Sequence, residues 1–258
     1  WQGVGGATYN IDKDVTIASA SSNAIAEWNI DRTSGSGMFT VNNAGAVTLG
    51  GAGGTGELRI LSADALNTEA NFSGAFTLAN DATISVRGNA ADRSTISGDI
   101  GESGGARSLS VNDLSIWGGT GGILRLTGAN TFTGDVTLGT GTLEFGTVTD
   151  IGGAASSLGQ GSAITMNGGT LRFIGTSSQS TNRPITTNTN AVTLSANGTG
   201  GASISYTGAI SIGPTSDGTK ITLTGDPGSV GIVTGGITET GDLADATVNG
   251  GTWRHQSG

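Results

Sequence analysis

Residues 124–145, LRLTGANTFTGDVTLGTGTLEF, set short Thr/Val/Leu/Phe runs between glycines, and fragments of this pattern return along the chain. Residues 166–173 read MNGGTLRF and residues 248–255 read VNGGTWRH. Each run is strand-length and alternates apolar with hydroxyl side chains, so one face is suited to burial and the other to water. A unit of this kind, recurring without cysteines or charge clusters, constrains the chain to a stacked, elongated β-architecture.

Composition agrees. The 258 residues include 48 Gly, 3 Pro and no Cys. That is roughly 19% Gly, against a usual value of about 7%. So much Gly could mean disorder, but an apolar fraction of 34% in regular alternation gives the chain something to bury. Only 12% of residues are charged and 5% aromatic, which points to a long thin core of small aliphatic side chains.

Candidate strands are short and numerous: 7–11, 15–18, 39–41, 47–49, 58–61, 76–78, 83–86, 109–111, 114–117, 123–127, 135–138, 142–145, 163–166, 170–174, 191–195, 202–206, 220–224 and 246–248. Residues 62–70, SADALNTEA, are the one candidate for a helical turn, with Ser62 or Asp64 as its cap. Asn80, Thr83 and Ser85 align without gaps on Asn190, Thr193 and Ser195, an offset of 110, while the Leu-Thr-Gly at 126–128 returns at 223–225. MNGGTLRF and VNGGTWRH lie 82 apart. These offsets fit coils of about 20–22 residues, each of three short strands, in a parallel β-solenoid. Roughly twelve coils at about 4.8 Å each would make a rod of about 55–60 Å. The rival is a β-sandwich, or two small all-β domains, with Asn-Gly at 167, 197 and 249 as hairpin turns. The 82-residue offset cuts across such a domain boundary and favours the solenoid. Asn42, Asn112, Asn167 and Asn249 are candidate corner or ladder residues.

The run Thr127-Gly128-Ala129-Asn130-Thr131-Phe132-Thr133-Gly134, followed by Gly141-Thr142-Leu143, resembles the autotransporter-associated β-strand repeat, also called the passenger-associated transport repeat. Asn167-Gly168-Gly169-Thr170-Leu171 follows as that family's next coil would, and residues 96–100 resemble the strand ahead of the repeat. A degraded second copy starts at Tyr206 and departs from the motif at Asp226-Pro227-Gly228-Ser229. The division that results is one β-helical piece over 1–258: divergent coils at 1–74, a first repeat unit at 75–186 and a degraded one at 187–258. The resemblance implies a right-handed parallel β-helix, the passenger or stalk of a bacterial surface adhesin, extracellular and non-catalytic. Its expected partners are a surface ligand or the chain itself, stacked end to end into a filament. The chain opens on Trp1, as a piece of a longer protein would.

Chemistry-bearing constellations are sparse. The net charge of −9 and eleven scattered basic residues argue against nucleic acid. No Cys, no calcium-binding nonapeptide repeat and no run of 18 apolar residues occurs, so no cofactor, metal or membrane-inserted helix is expected. The single His255 is the fourth residue from the end and suits no catalytic triad. Asp12, Asp14, Asp31, Asp99, Asp113 and Asp150 read as turn residues, which leaves a polysaccharide-acting β-helix enzyme as the weakest alternative. Trp28, Trp117 and Trp253 are weighed as aromatics that, if exposed, would contact sugars or proteins; Trp117 reads as partly buried, and Trp253 as a core or end-cap residue.

Overall fold

The computed structural model describes residues 2–4, 8–18, 26–34, 39–51, 54–62, 68–87, 93–113, 121–188, 190–213, 219–239 and 245–255. It is an all-β parallel solenoid. Among the described residues, apart from one isolated bridge, every strand pairing is parallel and joins a strand to its equivalent in the next coil.

Two sides are ten strands deep. Side one stacks β1 (Gln2–Val4), β4 (Ala26–Ser34), β7 (Gly56–Ser62), β10 (Ala82–Val86), β13 (Leu109–Asp113), β15 (Val136–Leu138), β17 (Ile164–Met166), β20 (Ile185–Thr187), β23 (Ile210–Ile212) and β26 (Ile237–Glu239). Side two stacks β2 (Thr8–Asn10), β5 (Phe39–Asn43), β8 (Thr68–Phe72), β11 (Arg93–Ile96), β14 (Ile123–Leu126), β16 (Thr142–Phe145), β18 (Thr170–Phe173), β21 (Val192–Ala196), β24 (Thr219–Gly225) and β27 (Asp245–Val248). Side three is split. Its first sheet holds β3 (Val15–Ile17), β6 (Val47–Leu49), β9 (Phe76–Leu78) and β12 (Ile100–Glu102). Its second holds β19 (Gln179–Thr181), β22 (Ser203–Tyr206), β25 (Val230–Val233) and β28 (Thr252–His255).

Alternation generates the core. Val-Thr-Leu at β6 and β15 and Ile-Thr-Met at β17 each bury their first and third residues and turn Thr outward. Stacking then aligns like with like. Leu124, Leu143, Leu171, Leu194 and Leu223 form one buried column on side two. Beside it Phe145 packs on Phe173 with ring centroids 5.6 Å apart. Each buried Leu contributes about 2 kcal/mol. On the outer surface Thr142, Thr170, Thr193, Thr222 and Thr247 form a matching hydroxyl column.

Every candidate strand within the described residues falls on an observed strand; 114–117, and Trp117 with it, lie outside them. At its described ends the expected helical turn at 62–70 is strand instead: Ser62 ends β7 and residues 68–70 open β8, held between β5 and β11. Residues 63–67 lie outside the described residues. Most coils are longer than 20–22 residues, and their length is irregular. Arg125 and Glu144, on adjacent strands, are 19 apart, and Asn10 and Asn42 are 32 apart. Corners absorb the difference, since a turn changes length without disturbing the stacked strands. Ten strands span nine steps, about 43 Å rather than 55–60 Å.

The 110-residue offset does not relate stacked strands. Thr83 lies on β10 of side one, whereas Thr193 lies on β21 of side two. The shared letters reflect a common strand-and-corner chemistry. By contrast, Leu126–Gly128 and Leu223–Gly225 belong to the same side.

Candidate functional site

The motif residues are placed at corners and in columns. Gly141, Thr142 and Leu143 stack beneath Gly169, Thr170 and Leu171 on the next strand. Both glycines have positive φ, 78° and 73°, and a Cβ on Gly169 would lie 2.4 Å from the carbonyl oxygen of Gly141. Gly168 is buried beside them. Asn130 is fully buried: its Oδ1 accepts from the Ile100 N–H at 2.8 Å, and its Nδ2 donates to the Ser157 carbonyl at 2.7 Å. Phe132 fills the interior, packed against Gly159. Thr127, Thr131 and Gly134 donate their N–H groups to Ile96, Ile100 and Arg107 carbonyls one coil away, and Gly128 closes on Gly98. All of these roles are rung-to-rung geometry.

Two of the four candidate Asn residues form ladders. Asn42 donates to Asn10 at 2.9 Å and accepts from Asn71 at 3.3 Å. Asn167 accepts from Asn188, and its carbonyl accepts from Asn190 at 2.6 Å. Asn249 occupies the corner after β27, whereas Asn112 lies within β13, paired with Ser85, rather than at a corner; neither makes a side-chain ladder bond among the described residues. The turn aspartates have a use the sequence reading missed. Asp14, Asp99 and Asp150 accept the N–H groups of Ala46, Ala129 and Asn182 in the next coil, at 2.7–2.9 Å. Asp226 to Ser229 form the distinct corner expected there, a tight turn with a 3.0 Å bond from the Ser229 N–H to the Asp226 carbonyl. Trp28 packs edge-on against Phe72, and Trp253 stacks on Tyr206 in the last described coil. Arg183 is wholly buried and donates to the Leu158 and Gly159 carbonyls.

One outer-surface cluster was not anticipated. On side two, Leu-Arg-Leu (124–126), Leu-Glu-Phe (143–145) and Leu-Arg-Phe (171–173) lie on β14, β16 and β18 in register. The flanking core residues force the charged middle residue outward, so Arg125, Glu144 and Arg172 form a column. Arg93 of β11 reaches the same carboxylate from two strands away. Arg93 Nε donates at 2.8 Å to Glu144 Oε2, and an Arg93 terminal nitrogen at 3.1 Å to Oε1. Arg125 Nε donates at 2.8 Å to Oε2, and a terminal nitrogen of Arg172 at 3.2 Å to Oε1. The Glu144 side chain is 2% exposed, whereas the arginines are 31–39% exposed. Ile174, Asn197, Thr199 and Asp226 continue from them along a trough of about 510 Å³.

Burial by itself would raise the Glu144 pKa, but the bonds and positive charge of Arg93 and Arg125 outweigh it and hold the carboxyl below the usual range. A glutamate held ionised and saturated by three guanidiniums is a poor proton donor near neutral pH. Its folded-state pKa is depressed. Its contribution to stability is therefore complete above the ordinary glutamate value of about 4.3 and is lost as pH falls through the lowered one. Glu144→Gln is expected to cost about 2 kcal/mol at pH 7, a buried-pair loss discounted for the solvent-screened arginines. The gap between the two proteins should close as pH falls below about 4, which urea titrations across pH would check. Glu102 behaves in the same direction. Burial opposes its ionisation, but hydrogen bonds from Thr133 and Arg107 prevail.

Among the described residues no three His, Cys, Asp or Glu side chains converge as a metal site, and His255 lies exposed on β28. A scan against protein-family models and searches of curated proteins and of solved structures find no match to this chain.

Proposed function

We propose that this chain is a structural rod: the passenger or stalk segment of a bacterial surface protein of the autotransporter type, extracellular and non-catalytic. The observation that carries the reading is where the motif falls. Residues 127–134, 141–143 and 167–171 are used as corners, core columns and rung-to-rung hydrogen bonds, and none of them lines the arginine trough. A module whose distinguishing residues all serve stacking has its value in length, rigidity and surface. Parallel stacking also suits export, because each added coil finds a preformed template and no disulfide has to form.

The reading is tested by placing the chain between an epitope and an outer-membrane β-barrel in a bacterial host. The expected result is an epitope that antibody and protease reach on intact cells. An epitope protected in intact cells but present after lysis would contradict the reading.

A second reading, assembly into a filament, is favoured by the last described coil. The outer edges of β26, β27 and β28 have no further strand among the described residues, and Val248 is 59% exposed. Beside it Leu223, Val233, Ile237 and Trp253 surround a hollow of about 160 Å³. Another parallel coil, from this chain's own continuation or from a second copy, would cover that end. Sedimentation distinguishes the two: mass growing with concentration supports the filament, and a monomer at all concentrations removes it.

A further inference from the structure

We propose that the trough on side two binds an acidic saccharide, its carboxylate or sulfate held by Arg93, Arg125 and Arg172 and its remaining sugars lying along the stack. The inference does not rest on the stalk reading.

Three guanidiniums converge on one carboxylate, so the cluster keeps a surplus of positive charge. Arg125 and Arg172 each spend a single N–H on Glu144, and Arg93 spends two of its five. The Nε of Arg172 is buried without a hydrogen-bond partner among the described residues. Each of the three side chains is about one-third exposed and borders the trough. Glu144 thus acts as a clamp: it fixes three flexible cations in one place before a ligand arrives, which lowers the ordering cost of binding. The unused N–H donors have the fork geometry that recognises planar carboxylates and tetrahedral sulfates.

The remainder of the trough selects the carrier of the anion. Ile174 offers an apolar patch to a sugar ring face. Asn197, Thr199 and Asp226 offer an amide, a hydroxyl and a carboxylate to sugar hydroxyls. The lining comes from β11, β14, β16 and β18 and from the corners after β21 and β24, so the trough runs along the stacking axis, as an extended chain would. A nucleic acid, with a phosphate at every step, is disfavoured by Asp226 at the far end and by the net charge of −9. A saccharide with spaced acidic groups places its charge at one end of the trough and its hydroxyls at the other.

The test is calorimetric titration of the whole chain with four probes: a polyuronate hexasaccharide, a sulfated hexasaccharide, a neutral maltohexaose and sodium sulfate. Binding is expected for at least one acidic hexasaccharide, with the preferred one reporting whether carboxylate or sulfate is recognised. Affinity should fall as salt rises, and maltohexaose should not bind. Arg93→Gln leaves Glu144 paired with Arg125 and Arg172, and should weaken the acidic ligand about tenfold. Thr199→Val touches no charge and should weaken it a few-fold while the circular dichroism stays unchanged. Absence of binding by both acidic hexasaccharides at millimolar concentration would overturn the proposal. So would sodium sulfate binding as tightly as the hexasaccharide, or affinity left unchanged by folded Arg93→Gln and Thr199→Val.

Discussion

Gly98→Ala is expected to destabilise the protein by about 3 kcal/mol or more, the upper range for overpacking a site that cannot yield. A Cβ at Gly98 would stand 1.9 Å from the carbonyl oxygen of Gly74. Gly74 in turn would place a Cβ 2.0 Å from the Gly45 carbonyl oxygen, and Gly128 one 2.4 Å from that of Gly98. These four glycines are one corner repeated through four coils. Relief requires the coils to separate, and the Ser97 N–H bond of 2.8 Å to the Phe72 carbonyl beside the corner opposes that. A fluorescence-detected urea titration checks the prediction, with an exposed control such as Ser103→Ala expected within about 0.5 kcal/mol of the parent.

Asn130→Ala follows, at about 3 kcal/mol. The side chain joins the coil on one side through Ile100 and the coil on the other through Ser157, and all of it is buried. Truncation leaves a buried N–H and a buried C=O without partners, each costing about 1–3 kcal/mol. Asn130→Asp should be no better. It retains an acceptor for Ile100 but turns a carboxylate oxygen toward the Ser157 carbonyl, which itself needs a donor. Equal or greater loss in Asn130→Asp than in Asn130→Ala would show that both ends of the amide matter. A variant as stable as the parent would refute the role assigned to this residue.

Much of the fold was legible because it depends on local chemistry. Alternation in Val136–Leu138 or Ile164–Met166 dictates which residues face inward, and like residues then stack. Positions of equivalence were less legible. Thr83 and Thr193 share neighbours in sequence, yet lie on different sides, since any strand leaving a Gly or Asn corner can have the same letters. Coil length was misjudged for a related reason. Corners between coils vary freely, so no period of 20–22 residues has to persist. Ile210–Ile212 was missed although its alternation matches that of Val136–Leu138, and Thr68–Phe72 was masked by helix-favouring neighbours. Asn130 was picked out by its motif, but its buried bonds to the coils on both sides were not. The arginine cluster was not, because Arg93, Arg125, Glu144 and Arg172 are spaced irregularly and meet only when the strands stack. A signal was nonetheless present, a charged residue held between two core residues in three strands that the stack brings into register.

The stack itself is tested most directly by distances measured along one outer column. The chain has no cysteine, so spin labels can be placed at will. Thr83, Thr137, Thr186 and Thr238 face outward on side one, at β10, β15, β20 and β26, two, four and six strands apart from the first. With Thr83→Cys paired in turn with Thr137→Cys, Thr186→Cys and Thr238→Cys, dipolar electron resonance should give separations rising by about 10 Å per step, to about 29 Å for the last pair. Separations that do not rise in that order, as in a sandwich or in two independent domains, would contradict the solenoid and everything built on it.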